Sequence, residues 1–167
     1  LGSHPYFGAT AGRIAGRVTR GNLTIAGESY PLPINDPPHH LHGGICSIDK
    51  RIWQATLLSR EDGAPSLKLS LTSKDGDNGY PGRVDLTATY TITHNNRFIF
   101  ETEARSDRPT PVSLTHHSYF NLAGEGYGST DDQELEISCN SAFEADEWMG
   151  LTGKCHDVEG SLNDARS

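Results

Sequence analysis

Two histidine-bearing segments hold the residues best suited to chemistry: Pro38-His39-His40-Leu41-His42-Gly43-Gly44 and Thr115-His116-His117-Ser118-Tyr119-Phe120-Asn121-Leu122. An imidazole titrates near pH ~6.5, so it gives and regains a proton close to neutrality, and it is also a common metal ligand. His117 lies between the strand-like Val112-Ser113-Leu114 and the aromatic pair Tyr119-Phe120, a setting that can hold an acid–base group rigidly. His42 precedes two glycines, which allow backbone to pass close to a ligand. His39 and His40, next to two prolines, read as loop residues without a chemical role. Metal binding is the competing reading, because His40-x-His42 on a strand would point both rings to one face, as in a cupin site. The residues that follow, Gly43 to Ser47, supply no carboxylate to complete such a site.

Gly12-Arg13-Ile14-Ala15-Gly16-Arg17-Val18 sets two guanidiniums among small residues. A guanidinium fork suits carboxylate, phosphate or sugar hydroxyls, while the plainer reading is a pair of surface charges. Lys74 to Gly82 has the look of a calcium loop but lacks the remaining alternating oxygen donors and the closing glutamate. It reads as a tight turn, with Tyr80 packing or lining a cleft. The chain contains no Gly-x-Ser-x-Gly, no Walker sequence and no Gly-x-Gly-x-x-Gly after a strand, so hydrolase, nucleotide and dinucleotide chemistry find no anchor.

The elements that would position these groups are strands. Leu67, Leu69 and Leu71 alternate with polar residues, as do Val84, Leu86, Ala88, Tyr90 and Ile92. His94-Asn95-Asn96 then turns the chain into a run with Phe98 and Phe100, which reads as a hairpin with one buried face. Leu23-Thr24-Ile25, Ala26-Gly27-Glu28 and Tyr30-Pro31-Leu32 read as a second hairpin. Ile52 to Leu58 and Leu135 to Ile137 supply further strands. No segment has a sustained helical apolar stripe, and 18 glycines and 9 prolines fall mostly between the strand runs. The expected class is all-β and antiparallel, as a sandwich or barrel. The tail from Glu144 to Ser167 is polar and weakly patterned, without a closing strand, so the chain reads as unfinished at both ends.

At 167 residues this is the length of one domain, with a formal charge of −8. That charge argues against nucleic acid and against an anionic membrane surface as partners. No apolar run approaches the ~20 residues of a membrane span. Cys46, Cys139 and Cys155 are too few and too widely spaced for a disulfide framework or zinc site. Free thiols in a reducing, cytoplasmic setting are the expectation. The first residue is Leu1, which leaves a removed leader, and hence a secreted or periplasmic location, open.

In order, these motifs resemble the aldose 1-epimerase (galactose mutarotase) family. Tyr6 to Arg17 is similar to the family's opening signature, with Gly16 where Asn is usual. His40-Leu41-His42-Gly43-Gly44 resembles its Leu-His-Gly-Gly segment, and Asp75 to Gly82 its Asp-Gly-x-x-Gly-Tyr-Pro-Gly loop. His116 to Leu122 resembles its Asn-His-Ser-Tyr-Phe-Asn-Leu segment, with His116 in place of Asn. The resemblance implies an antiparallel two-sheet β-sandwich of the galactose mutarotase-like supersandwich type, incomplete at both ends, with residues 1–167 part of one such domain. It implies interconversion of the α and β anomers of a free monosaccharide such as galactose or glucose, with no cofactor and no metal. His117 then corresponds to the acid that protonates the ring oxygen, and His42 and Arg17 to sugar-binding residues. The family's glutamate base, and an aspartate that helps hold the sugar, lie beyond the segment matching Glu144 to Ser167. Without the base the chemistry should lose roughly 10²–10⁴-fold. A catalytically silent carbohydrate-binding module of the same fold and a relative acting on sugar phosphates are the alternatives. Arg13 and Arg17 are too few cations to argue the latter. The sequence does not specify an oligomeric state.

Overall fold

The computed structural model describes residues 6–165, which form an all-β, antiparallel sandwich. Twelve strands follow in chain order: β1 (Thr10–Ala11), β2 (Arg17–Val18), β3 (Asn22–Ile25), β4 (Glu28–Pro31), β5 (His40–Leu41), β6 (Gln54–Leu58), β7 (Ser66–Ser73), β8 (Val84–Ile92), β9 (Phe98–Ser106), β10 (Thr115–His116), β11 (Ser141–Ala145) and β12 (Leu151–Asp157). No described helix is long and apolar enough to cross a membrane.

One layer is the four-stranded sheet β6-β7-β8-β9. Its register pairs Leu69 with Ala88 and Leu71 with Leu86, so the alternating leucines and the apolar residues of β8 share one face. Val84 and Leu86 on that face are fully buried against Ile48, with Trp53, Leu71, Val112 and Leu114 packed around them. The other described strands pair as the two-stranded ribbons β1–β10, β2–β5, β3–β4 and β11–β12. Ile48 opens a short 3-10 turn, Ile48–Lys50, and so fixes that turn to the core.

Both predicted hairpins are present. Thr93 and Arg97 close the loop His94-Asn95-Asn96 through a 2.9 Å backbone bond, and Asn96 takes the left-handed conformation (φ 61°) that asparagine tolerates well. Between β3 and β4 the turn is the two residues Ala26-Gly27, both with positive φ. Glu28 therefore belongs to the strand and pairs with Ile25 rather than lying in the turn.

Two expectations fail. Leu135 to Ile137 form no strand; Leu135 is exposed, and the Ile137 amide bonds to the Ala165 carbonyl instead. Three residues with no pairing edge give a ladder nothing to build on. The segment after Glu144, expected to lack a closing strand, instead contributes to the hairpin β11–β12, with Ser141 opposite Asp157 and Phe143 opposite Cys155. A register shift between Phe143 and Ala145 breaks the alternation, and Phe143 and Leu151 remain at least half exposed, so burial leaves no period-two signature there.

Candidate active site

The site is assembled by one short segment that pairs on both sides. Within residues 13–16, Ser113 donates its amide to the Arg13 carbonyl (2.8 Å) and Ala15 donates to the Ser113 carbonyl (2.7 Å). On the other side Arg17 pairs with Leu41, and His42 donates its amide to the Gly16 carbonyl (3.0 Å). β10 pairs with β1, and that ribbon continues as His117 donates to the Ala9 carbonyl (2.8 Å) and accepts from the Gly8 amide (3.1 Å). His42 and His117, distant in sequence, are thereby brought to 5.0 Å between ring centroids, their planes at 75°. They share a cleft of about 510 Å³ with Ala15, Gly16, Ser113 and Thr115. A larger hollow of about 740 Å³ lies among residues 122–134, but its described lining carries neither an imidazole nor a cation.

Each imidazole is held in a definite way. His42 has left-handed backbone (φ 49°), and its Nδ1 accepts the Gly16 amide at 3.1 Å. The neutral ring then carries its proton on Nε2, which leaves an N–H donor for a ligand. Burial pushes the His42 pKa down, and the nearby His117 and Arg17 add to the effect. His117 lies near-parallel to Tyr119 at 5.2 Å and to Tyr6 at 5.9 Å. Tyr6 also meets His42 at 4.6 Å, and the Lys50 ammonium sits over the Tyr6 ring at 4.9 Å. Lys50 donates to Asp49 Oδ2 (3.0 Å) and to the Ser47 hydroxyl (2.9 Å), while Ser47 also donates to Asp49 Oδ1.

Arg17, the expected sugar-binding cation, donates through Nε to Asp36 Oδ2 at 2.8 Å and is partly exposed. Asp36 is placed by the turn Asp36-Pro37-Pro38-His39, closed by reciprocal backbone bonds between Asp36 and His39. Arg13 is not the surface charge that sequence favoured. It is 2% exposed, and its guanidinium donates to Ser73 Oγ and to the carbonyls of Ser73, Lys74 and Pro81, and to Thr110 Oγ1. It ties the opening segment to the 73–82 loop and takes no part in the cleft. Burial lowers its pKa.

His39, His40 and His116 are structural. His40 is fully buried; its Nδ1 donates to the Pro33 carbonyl (2.7 Å), so its Nε2 accepts from the Tyr80 hydroxyl (2.8 Å). That settles Tyr80 as a packing residue, and burial pushes its pKa up. His39, also buried, accepts the Arg20 amide on Nδ1 and has Nε2 3.5 Å from Asp146 Oδ1. The His40-x-His42 pair does not share a face, because His42 leaves the strand at its positive φ. His116, though on the cleft wall, packs its ring among Phe100, Phe98 and Tyr90 at 4.9–5.7 Å, and burial lowers its pKa.

Sequence reading missed Tyr6, Asp36, Asp49 and Lys50. Asp49-Lys50 is an adjacent opposite-charge pair with no spacing that marks a site, and Asp36 meets Arg17 only through the proline turn. The one available signal was the position of Tyr6 at the head of the opening motif.

Comparison with known proteins bears on the whole chain. The family model for aldose 1-epimerase matches residues 1–167. A galactose mutarotase from Rattus norvegicus is 40% identical over 166 residues, covering 99% of this chain and 47% of that protein. An aldose 1-epimerase from Escherichia coli (strain K12) is 35% identical over 162 residues, 97% of this chain and 45% of that one. The crystal structure of galactose 1-epimerase from Lactobacillus acidophilus NCFM superposes with a TM-score of 0.84 at 30% identity, over 99% of this chain and 48% of that chain. The chain spans about half the length of the curated relatives it matches.

Proposed function

The chain belongs to the aldose 1-epimerase family, and from that premise we propose that its cleft serves the interconversion of the α and β anomers of a free aldose such as galactose or glucose. The observation that carries this reading is the pairing of His42 and His117 at 5.0 Å on the wall of one open, polar cleft. His117, stacked near two phenol rings, is the acid: its proton goes to the ring oxygen as the bond from C1 to that oxygen breaks. A base removes the C1 hydroxyl proton in the same step, giving the open-chain aldehyde. Rotation about C1–C2 and the reverse proton transfers close the ring to either anomer. His42 offers its Nε2–H to a sugar oxygen, and Arg17, braced by Asp36, offers its remaining N–H groups.

The base is a carboxylate outside these residues, as the family resemblance implies. Asp36 is engaged by Arg17 and Asp49 by Lys50 and Ser47, so neither is assigned as that base. The same observation favours a second reading, a module that binds sugar without turnover. Polarimetry of freshly dissolved α-D-galactose, with the chain and with its His117→Ala variant, separates the two. Acceleration above the spontaneous rate that His117→Ala removes supports the epimerase. A folded sample that binds galactose by NMR titration yet leaves the rate unchanged refutes catalysis by this chain and supports the binding module.

A further inference from the structure

We propose that Tyr6 and Lys50 are positioning residues for the His42–His117 pair, the Tyr6 ring forming a wall common to both imidazoles and the Lys50 ammonium clamping that wall. The proposal rests on the reading of this cleft as an acid–base site, though its test does not. The Tyr6 ring meets both, at 4.6 Å from His42 and 5.9 Å from His117. Its backbone is held in the left-handed region (φ 62°), unusual for a bulky side chain, and the Ala9 amide bonds to its carbonyl at 2.9 Å. The next links in that segment, Gly8 and Ala9, bond to the backbone of His117 itself. A shift of Tyr6 is thus a shift of the acid.

Lys50 is anchored rather than roaming. The aspartate that holds it has a side chain only 1% exposed, and the 3-10 turn that carries both residues begins at the core residue Ile48. A cation over an aromatic face is attracted by the ring's negative quadrupole. A continuous line of contacts therefore runs from the core through Ile48, Lys50 and Tyr6 to the two imidazoles. Among the charged groups around His42, His117, Arg17 and Lys50 lower its pKa and Asp49 raises it. Loss of the Lys50 charge accordingly raises the His42 midpoint, whereas a merely structural lysine would leave it in place.

The test is NMR of the histidine ring protons in the unaltered chain and in Tyr6→Leu, Tyr6→Phe, Lys50→Met and Lys50→Arg, from pH 5 to 8. Nuclear Overhauser contacts from the Tyr6 ring to both imidazoles and to the Lys50 side chain are expected in the unaltered chain, and their absence overturns the proposal even if a variant fails to fold. Tyr6→Leu should move the ring-proton resonances of both His42 and His117, and Lys50→Met should raise the His42 midpoint. Tyr6→Phe and Lys50→Arg should restore the unaltered values. Unchanged resonances and midpoints in folded Tyr6→Leu and Lys50→Met refute the assignment. Where mutarotation is measurable, Tyr6→Leu should lower kcat about tenfold to a hundredfold with a smaller effect on KM. Shifted imidazoles without any mutarotation by the unaltered chain would uphold the positioning role and refute catalysis by this chain.

Discussion

Replacing Arg13 by alanine should destabilise the chain by about 3–5 kcal/mol, the usual cost of stranding partners of a buried charged group. The magnitude follows from five hydrogen bonds. Those to Ser73 Oγ (3.0 Å), the Pro81 carbonyl (2.9 Å) and the Ser73 carbonyl (3.3 Å) are fully buried, and those to the Lys74 carbonyl (2.7 Å) and Thr110 Oγ1 (3.3 Å) are partly so. Each buried acceptor left bare costs about 1–3 kcal/mol, so three at the lower end already reach about 3 kcal/mol. The cavity adds to this. Release of a guanidinium whose charge is disfavoured by burial subtracts from it. Arg13→Lys keeps a charge but has three donors on one atom, too compact to reach loop carbonyls and hydroxyls on several sides, so it should recover less than half of the loss. Urea unfolding followed by tryptophan fluorescence reads both variants, since Trp53 lies against the core. A loss below about 1 kcal/mol for Arg13→Ala, with an unchanged denaturant slope, would refute the view that this residue locks the opening segment to the 73–82 loop.

Two further perturbations test the framework of the cleft. Gly43→Ala would put a Cβ 1.7 Å from the Gly12 carbonyl oxygen at φ +84°, whereas Gly27→Ala at φ +85° meets nothing within 4 Å. The second should cost only the left-handed strain of about 1–2 kcal/mol, the first distinctly more, and equal urea midpoints would deny the close approach. Acid should also weaken the fold. Burial lowers the folded-state pKa of His40 and His116, and burial first, then His117 and Arg17, that of His42, so each contributes stability that is complete above the unfolded value near ~6.5. That stability is lost as pH falls from there through the depressed folded values, at no more than about 1.4 kcal/mol per pH unit for each imidazole. Thermal melts from pH 7.5 to 5 should show a falling Tm, flattened in His40→Gln; a flat profile in the unaltered chain would contradict the burial of these rings as neutral species.

The parts of this structure that sequence reveals are those where burial is one-sided and local. Val84, Leu86 and Ala88 alternate because only one face of their strand meets the core, and Asn96 supplies the left-handed residue its turn requires. The β11–β12 hairpin escaped notice because its apolar residues stay exposed and its register shifts, so no periodicity marks it. Among the site residues the imidazoles were visible because their chemistry is rare in a sequence. By type and spacing Arg13 and Arg17 were indistinguishable there, only the family resemblance setting Arg17 apart, although one is a buried tie between loops and the other a partly exposed group near His42. Which of two identical side chains meets solvent is decided by what lies opposite, here loop carbonyls for Arg13 and Asp36 for Arg17. That information is tertiary, and spacing does not encode it.

The electrostatics around the cleft bear on the kind of ligand that the proposed function would give it. The cations beside the imidazoles, Arg17 and Lys50, each carry an aspartate at 2.8–3.0 Å, and Arg13, the other cation of the opening motif, is spent on buried acceptors away from the cleft. A phosphate dianion entering this cleft would have to compete with Asp36 and Asp49 for both cations, and the formal charge of −8 over the whole chain opposes its approach. A neutral aldose faces neither penalty. It needs oriented donors and acceptors rather than net charge, and the fixed Nε2–H of His42 and the free edge of a braced guanidinium are of that kind. The paired charges thus act as supports that hold donors at set angles. On that ground inorganic phosphate should compete poorly with galactose for this cleft, and competition at equal concentrations in a galactose NMR titration would show the pairing to be looser than these distances imply.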